Sequence, residues 1–251
     1  MPNKIACLLI PAFLAFGACQ SGEIQENNPP APGFNIEASD HQAIIIADEV
    51  MEAMGGRKNW DATRYLVWNF FGRRKLWWDR QSGNVRIESY PDSTTYLLNM
   101  ENMTGRVLKN GKQVIVNDSL KLFLSQAKSI WINDSYWLIM PFKLKDDGVT
   151  LKHIGEGKTE NGYPAEILEL TFKGVGDTPN NKYLVYVDKE TKLVSQWSYF
   201  RTADQTEPDF TTPWTDYKKY GKILLSGSRG ERQITEIGAP ENLPASTFSE
   251  F

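Results

Sequence analysis

The sequence predicts an α+β protein that is mainly β, built on one curved antiparallel sheet of about ten or eleven strands. Short runs rich in aromatic and β-branched residues alternate with turn signals along most of the 251 residues. Two segments instead repeat apolar residues at three- and four-residue spacing, which indicates helices. A sheet of this length must curl or close, because strand twist accumulates from strand to strand.

Residues 1–18 have the pattern of an export signal. One lysine precedes an apolar run from Ile5 to Phe16, which is shorter than the roughly 20 residues of a membrane span. Two small residues then lead into Cys19, and this ending resembles the lipobox of bacterial lipoproteins. The resemblance implies cleavage before Cys19 and attachment of lipid to its thiol. An ordinary secretory signal cleaved near Ala18 is the alternative.

Residues 19–36 are expected to hold the lipidated cysteine and a flexible tether, followed by a single domain over residues 37–251. Three prolines and no apolar periodicity favour an extended, solvated chain between Gln20 and Asn35. The expected location is the bacterial cell envelope, with the lipid anchor in the outer membrane on either its periplasmic or its surface side. The membrane is therefore one expected partner, and a protein partner is left open.

The folded part is predicted to begin with a helix. Ser39 is a candidate N-cap, apolar residues recur from Ile44 to Met54, and the two following glycines end the helix. The helical period returns from Ser119 to about Trp131, which predicts a second, mid-chain helix.

Between and after these helices, β-branched and aromatic runs are separated by turn residues. The predicted strands are Arg64–Gly72, Arg74–Arg80, Val85–Tyr90, Thr94–Met100, Arg106–Lys109, Gln113–Val116, Val149–Ile154, Ala165–Phe172, Lys182–Val187, Lys192–Phe200, Lys222–Ser226 and Gln233–Ile237. No long linker and no internal repeat divides this region, so one domain is expected.

The first strands are apolar on both faces, as Tyr65–Phe71 and Leu76–Trp78 illustrate. A strand that is wet on one side alternates between apolar and polar residues. Either helices cover the inner side of the sheet, or that side lines an apolar cavity.

The order of elements resembles the LolA-like family of periplasmic lipoprotein carriers and their lipid-anchored relatives. The resemblance is carried by the initial helix with its aromatic strand pair, the mid-chain helix and the hairpin Leu184–Val194. The stretch Trp131–Leu144 resembles a group of uncharacterised bacterial lipoproteins near that fold. Together these features cover roughly residues 38–240 and imply a half-barrel whose concave side is covered by the two helices.

The resemblance also implies an apolar ligand, such as an acyl chain, between the sheet and the helices. The residues expected to line that space are Leu66, Trp68, Phe70, Leu76, Trp78, Trp131 and Trp137. Trp131–Lys143 is additionally a candidate lid over the opening, because it joins a helix to a bend marked by proline.

No reaction can be assigned from the sequence, and a non-enzymatic protein without a cofactor or metal is expected. His41 and His153 are too far apart for the usual zinc patterns, and His153 has only Asp146 and Asp147 nearby in sequence. The net charge of −3 does not indicate nucleic acid. Arg73–Lys75 is either a contact for lipid headgroups or a solvated turn.

Two other classes of function remain open. The protein could be a structural or interaction lipoprotein whose interior is filled by its own side chains. Less favoured is an exported hydrolase or a glycan-binding module, which requires polar groups converging in a cleft.

Overall fold

The computed structural model describes residues 27–251, and it confirms an α+β class that is mainly β. Cys19, its leader and the first part of the tether lie outside the described residues. The described helices are α1 (His41–Ala53), α2 (Arg57–Ala62) and α3 (Asn117–Ile139). Within residues 27–251, no helix is long and apolar enough to cross a bilayer.

Nine strands form one antiparallel sheet, called the large sheet here. In spatial order they are β12 (Thr215–Tyr220), β13 (Ile223–Arg229), β14 (Arg232–Gly238), β1 (Tyr65–Phe70), β2 (Arg74–Asp79), β3 (Asn84–Ser89), β4 (Thr94–Asn99), β5 (Gly105–Lys109) and β6 (Lys112–Gln113). Five strands form the antiparallel small sheet. Its order is β11 (Phe210–Pro213), β10 (Val194–Phe200), β9 (Lys182–Asp188), β8 (Pro164–Phe172) and β7 (Val149–Lys158).

The strands therefore belong to two sheets rather than to one sheet of ten or eleven strands, and the division falls at Trp214. This residue alone separates β11 from β12. Its backbone N–H donates to the carbonyl of Ser195 (2.8 Å), and its indole is buried. On one side of Trp214 the chain pairs with β10, and on the other side it pairs with β13. The strand bends at the buried indole, so the hydrogen-bonded pairing between strands does not continue past Trp214.

The helix α3 contacts both sheets, and its Trp137 ring meets Trp197 of the small sheet. It packs against β4, β5 and β13 of the large sheet, while α1 packs against β7 of the small sheet. Buried side chains from both sheets and both helices form one core. The side chains of α3 thus contribute to the core on the inner side of the sheets, as the sequence predicts.

The mid-chain helix is longer than the predicted Ser119–Trp131. The polar triplet Asn133-Asp134-Ser135 interrupts the apolar pattern, yet Asp134 and Ser135 are buried inside the helix. Residues 131–139 are therefore the last turns of α3, and a 3-10 turn, Met140–Lys143, follows them. The predicted lid is a continuous part of the helical core layer rather than a separate flap.

The described end of the predicted tether is folded against the domain. Phe34 is 7% exposed, and the N–H of Asn35 donates to the carbonyl of Val149 (3.0 Å) at the edge of β7. The N–H of Ala31 donates to the carbonyl of Lys145 (2.9 Å). Backbone groups on the open edge of β7 need partners, and this segment supplies them. Residues 31–35 are therefore folded against the domain rather than part of a solvated chain.

Gly105 marks a close approach between β5 and its neighbours. A Cβ atom there would lie 2.2 Å from the carbonyl oxygen of Leu97 and 2.8 Å from a methyl group of Leu124 on α3. Since one obstacle is backbone, relief requires a shift of the strand. We expect Gly105→Ala to lower the free energy of unfolding by about 2 to 3 kcal/mol, as overpacking does.

Urea unfolding followed by tryptophan fluorescence measures this effect, and Gly238→Ala is the matched control. A Cβ at Gly238 meets its nearest atom, in Pro240, at 3.8 Å, which is an ordinary contact. The control should change the stability by less than about 0.5 kcal/mol. Equal midpoints for the two variants would contradict the close approach.

Candidate functional site

A cleft lies between the C-terminal half of α3, the inner face of the small sheet and the loop that joins β8 to β9. It consists of two adjoining cavities of about 320 Å³ each. Both cavities are lined by Ile132 and Tyr136 of α3, by Phe172 at the end of β8, and by Val175 and Gly176 of the loop. Tyr136 therefore stands at the centre of the cleft.

The first cavity is lined by aromatic rings from three elements. Trp137 projects from α3, while Tyr183 and Trp197 come from neighbouring positions on β9 and β10. The rings of Tyr183 and Trp197 stack with centroids 4.9 Å apart, and Trp137 meets Trp197 edge to face at 4.8 Å. These contacts form a fixed apolar wall, because each ring is held by the next.

The second cavity has an aromatic floor and a charged rim. Trp78 of β2 and Trp131 of α3 meet edge to face at 4.9 Å. Lys143, Asp146 and Asp147 also line this cavity, and Lys143 forms an ion pair with Asp146. The second cavity thus carries charges of both signs, whereas Asp177 is the one charged residue that lines the first.

The hydroxyl groups of the cleft are uncharged donors. Burial raises the pKa of Tyr136 well above its usual value, and burial raises the pKa of Tyr183 to about 12. Both phenols therefore keep their protons at neutral pH. Among residues 27–251, the Tyr136 hydroxyl and the indole N–H groups of Trp131 and Trp197 are buried without a hydrogen-bond partner.

A buried ion pair holds the middle of α3 against β2. Arg74 donates two parallel hydrogen bonds to Asp134, at 2.6 and 2.8 Å. The side chain of Asp134 is fully buried, and burial raises its pKa although Arg74 opposes the rise. This bidentate geometry fixes the rotation of the helix, and hence the direction in which its neighbours face.

A second cation fixes the end of α3. Arg229 of β13 donates from Nη2 to the carbonyl of Trp137 (2.5 Å). That carbonyl lacks its usual helical donor, because the residue four positions later is Pro141, which has no N–H. The guanidinium of Arg229 also lies over the ring of Trp214, 3.4 Å from its centre.

The structure divides the predicted lining residues into two groups. Trp78, Trp131 and Trp137 line the cleft. The other four do face inward, but they are buried in packed core and line neither cavity: Leu66, Trp68, Phe70 and Leu76. Side chains of the helices fill the space in front of this part of the large sheet.

Sequence reasoning did not single out Tyr136, Phe172, Tyr183 and Trp197 as lining residues. Tyr183 and Trp197 lie in the predicted strands Lys182–Val187 and Lys192–Phe200, for which no inner face was assigned. Which face meets α3 depends on how the small sheet folds back onto the helix. A long-range arrangement of that kind leaves no local signal.

The remaining charged candidates lie outside the cleft. His153 contacts Glu166 across the β7–β8 pair (Nε2–Oε2 2.8 Å), an acid that is 13 positions away in sequence. Of the basic cluster, Arg74 pairs with the buried Asp134, and Lys75 forms a partly exposed ion pair with Glu236. Within residues 27–251, no three His, Cys, Asp or Glu side chains are grouped closely enough to hold a metal ion.

Comparison with known proteins finds similarity to solved structures only. No family model and no curated protein matches the chain. A DUF1329 family protein from Desulfovibrio piger is 14% identical, with a TM-score of 0.45, over 82% of this chain and 96% of that one. MucB is 14% identical, with a TM-score of 0.26, over 83% of this chain and 62% of that one. MucB in complex with MucA(peri) is 13% identical with a TM-score of 0.21, over 80% of this chain and 58% of that one.

Proposed function

We propose that this chain is a lipid-anchored, LolA-like protein of the bacterial envelope that binds an apolar ligand in the cleft beside α3 and catalyses no reaction. The observation that carries the proposal is the aromatic lining of the cleft, where Tyr136, Trp137, Tyr183 and Trp197 surround open volume. Ligand sites are concave, largely apolar and preformed, with volumes of about 300–1,000 Å³. Each cavity, at about 320 Å³, reaches the lower end of that range.

Binding in such a cleft would come mainly from the burial of hydrocarbon. Each methylene group that leaves water contributes about 0.8 kcal/mol, and the contribution needs no directional contact. An acyl chain or a similar lipid fits this lining. The charged rim at Lys143 and Asp147 is the place where the polar end of such a molecule could remain hydrated.

The membrane anchor belongs to the proposal through Cys19. We propose that a diacylglycerol thioether at Cys19 holds the protein at the outer membrane. Growth with labelled palmitate tests this directly, with Cys19→Ala and Cys7→Ala as a matched pair. Label should enter the protein, disappear in Cys19→Ala and persist in Cys7→Ala. Label that persists in both variants would exclude this anchor.

Ligand binding is tested on the full chain carrying Cys19→Ala, purified without detergent. Native mass spectrometry and analysis of organic extracts should find an apolar molecule that accompanies the protein. The purified chain should also bind a brominated fatty acid, whose bromine atoms quench the fluorescence of the tryptophans that line the cleft.

A pair of variants places the ligand in the cleft. Ile132→Trp adds an indole between the two cavities and should abolish quenching, whereas Leu122→Trp adds the same group to the exposed face of α3 and should leave it unchanged. Unfolding midpoints of both variants show whether each remains folded. Quenching that persists in a folded Ile132→Trp variant would exclude the cleft as the binding site.

A structural or interaction lipoprotein is the second candidate. It is favoured by the packed state of the inner face of β1 and β2, where Leu66, Trp68 and Leu76 are fully buried. This candidate predicts that neither extraction nor loading yields a bound molecule, and that an envelope protein instead accompanies the chain.

A further inference from the structure

The corner of the large sheet at β6 and the start of α3 exposes an unusual group of apolar side chains. Ile115, Leu122 and Val116 are 79%, 69% and 62% exposed. They lie within eight consecutive positions, at the free end of the edge strand and in the first turns of the helix. Three large aliphatic side chains exposed to water within so short a segment are typical of an interaction surface.

Three lysines belong to the same corner. Lys109 and Lys112 face each other across the hairpin between β5 and β6, and Lys121 is exposed on α3. The ammonium group of Lys109 lies over the ring of Phe123 (4.9 Å), which places the hairpin beside the first turns of the helix. Within residues 27–251, no carboxylate forms an ion pair with these three lysines.

We propose that this corner docks on an anionic lipid surface, with Ile115, Val116 and Leu122 inserted at the level of the headgroups. The charge favours lipid as the partner. Only Asp118 adds a negative charge between Lys112 and Lys121, although the whole chain is acidic. Basic residues beside exposed aliphatic ones are the pattern of interfacial binding, and each lysine near an anionic surface adds to the attraction.

The position of the corner gives the contact a consequence for orientation. With 23 residues, α3 is about 34 Å long. The corner lies at its first turn, and the segment at Ala31 contacts Lys145 just beyond its last turn. A membrane contact at the corner would therefore lie at the opposite end of α3 from the segment at Ala31. The corner contact itself does not depend on the anchor or on a ligand in the cleft.

An environment-sensitive fluorophore tests the proposal at two sites of similar exposure. In the full chain carrying Cys7→Ser and Cys19→Ala, a single cysteine is introduced by Leu122→Cys or by Tyr163→Cys and labelled. Tyr163, 62% exposed, lies in the β7–β8 turn of the small sheet. Vesicles are made of phosphatidylcholine alone or of equal parts phosphatidylcholine and phosphatidylglycerol.

The emission of the label at position 122 should shift to the blue with the anionic vesicles only, and the label at position 163 should not respond. On the background that carries the label at position 122, Lys112→Glu with Lys121→Glu should weaken the response roughly tenfold or more. Lys219→Glu with Lys222→Glu, which makes the same charge change at the opposite edge of the sheet, should leave it unchanged. Equal responses at both labelled sites would overturn the proposal. A shift without vesicles that grows with protein concentration would assign the corner to a second copy of the chain instead.

Discussion

Replacing Arg229 by methionine is expected to lower the free energy of unfolding by about 2 to 4 kcal/mol. The side chain is almost fully buried, and it donates to the carbonyl of Trp137 (2.5 Å) and to the hydroxyl of Ser226 (2.8 Å). Methionine would fill much of the same space. It would leave these two acceptors without a donor and would remove the cation from the face of Trp214.

The charge of Arg229 matters as well as its shape. Burial lowers its pKa to about 9, and Tyr217 opposes that change, so the guanidinium is still charged at neutral pH. A cation at the C-terminal end of α3 also complements the helix dipole. Arg229→Lys keeps the charge but not the planar fork, and we expect it to lose about half as much stability as the methionine variant.

Urea unfolding at neutral pH measures both variants, and a double-mutant cycle isolates the contact with the helix end. Pro141→Ala supplies an N–H that could reach the carbonyl of Trp137. The loss caused by Arg229→Met should therefore be smaller, by about 1 kcal/mol, in the Pro141→Ala background. A methionine variant as stable as the parent, or a cycle without coupling, would show that the carbonyl does not need Arg229.

These contacts mark the limit of what the sequence can predict. Local patterns were sufficient for α1 and for most strands, because apolar periodicity and turn residues act within a few positions. Phe210–Pro213 and Thr215–Tyr220 were missed, since neither alternates between polar and apolar residues. The short helix α2 was missed as well, directly after the glycines that end α1.

Ser39 shows how tertiary contacts can override a local signal. It was predicted as the N-cap of α1, but the N-cap is Asp40 and makes no side-chain cap hydrogen bond. The hydroxyl of Ser39 instead donates to the carbonyl of Asn35 and accepts from the N–H of Leu151. A residue 112 positions away decides the role of this serine.

The candidate site was predicted in part for the same reason. Trp78, Trp131 and Trp137 were expected as apolar residues that line the space between sheet and helices, and they line the cleft. Leu66 and Phe70 satisfied the same criterion, but the side chains packed in front of them occupy the space. Alternation identifies an inner face, whereas only the packing of distant elements decides whether that face is filled or open.

Asp134→Ala is expected to lower the free energy of unfolding by about 3 to 5 kcal/mol, which is more than the effect expected of Arg229→Met. The variant leaves the guanidinium of Arg74, whose side chain is only 16% exposed, without its bidentate partner. The cost comes from that unpaired charge and from the cavity on α3. Amide hydrogen exchange should also become faster along residues 130–139, because the pair fixes this part of the helix to β2.

The pH dependence of stability reports on the same carboxyl. Its pKa is raised by burial in the folded state, above the value of 3.8 that applies to an exposed aspartate. The folded protein therefore keeps this proton to a higher pH than the unfolded chain does. The free energy of unfolding should fall as the pH rises from 3.8 to the folded pKa, and this component should be absent in Asp134→Asn.

A double variant separates the cost of an unpaired charge from the contribution of the pair itself. Arg74→Met with Asp134→Leu replaces the ion pair by apolar groups of similar volume, and such replacements are often neutral or stabilising. We expect it to recover most of the stability lost in Asp134→Ala. If the double variant were as unstable as the single one, the pair would itself provide a large net stabilisation. If Asp134→Ala were as stable as the parent, α3 would not depend on this pair for its position over the cleft.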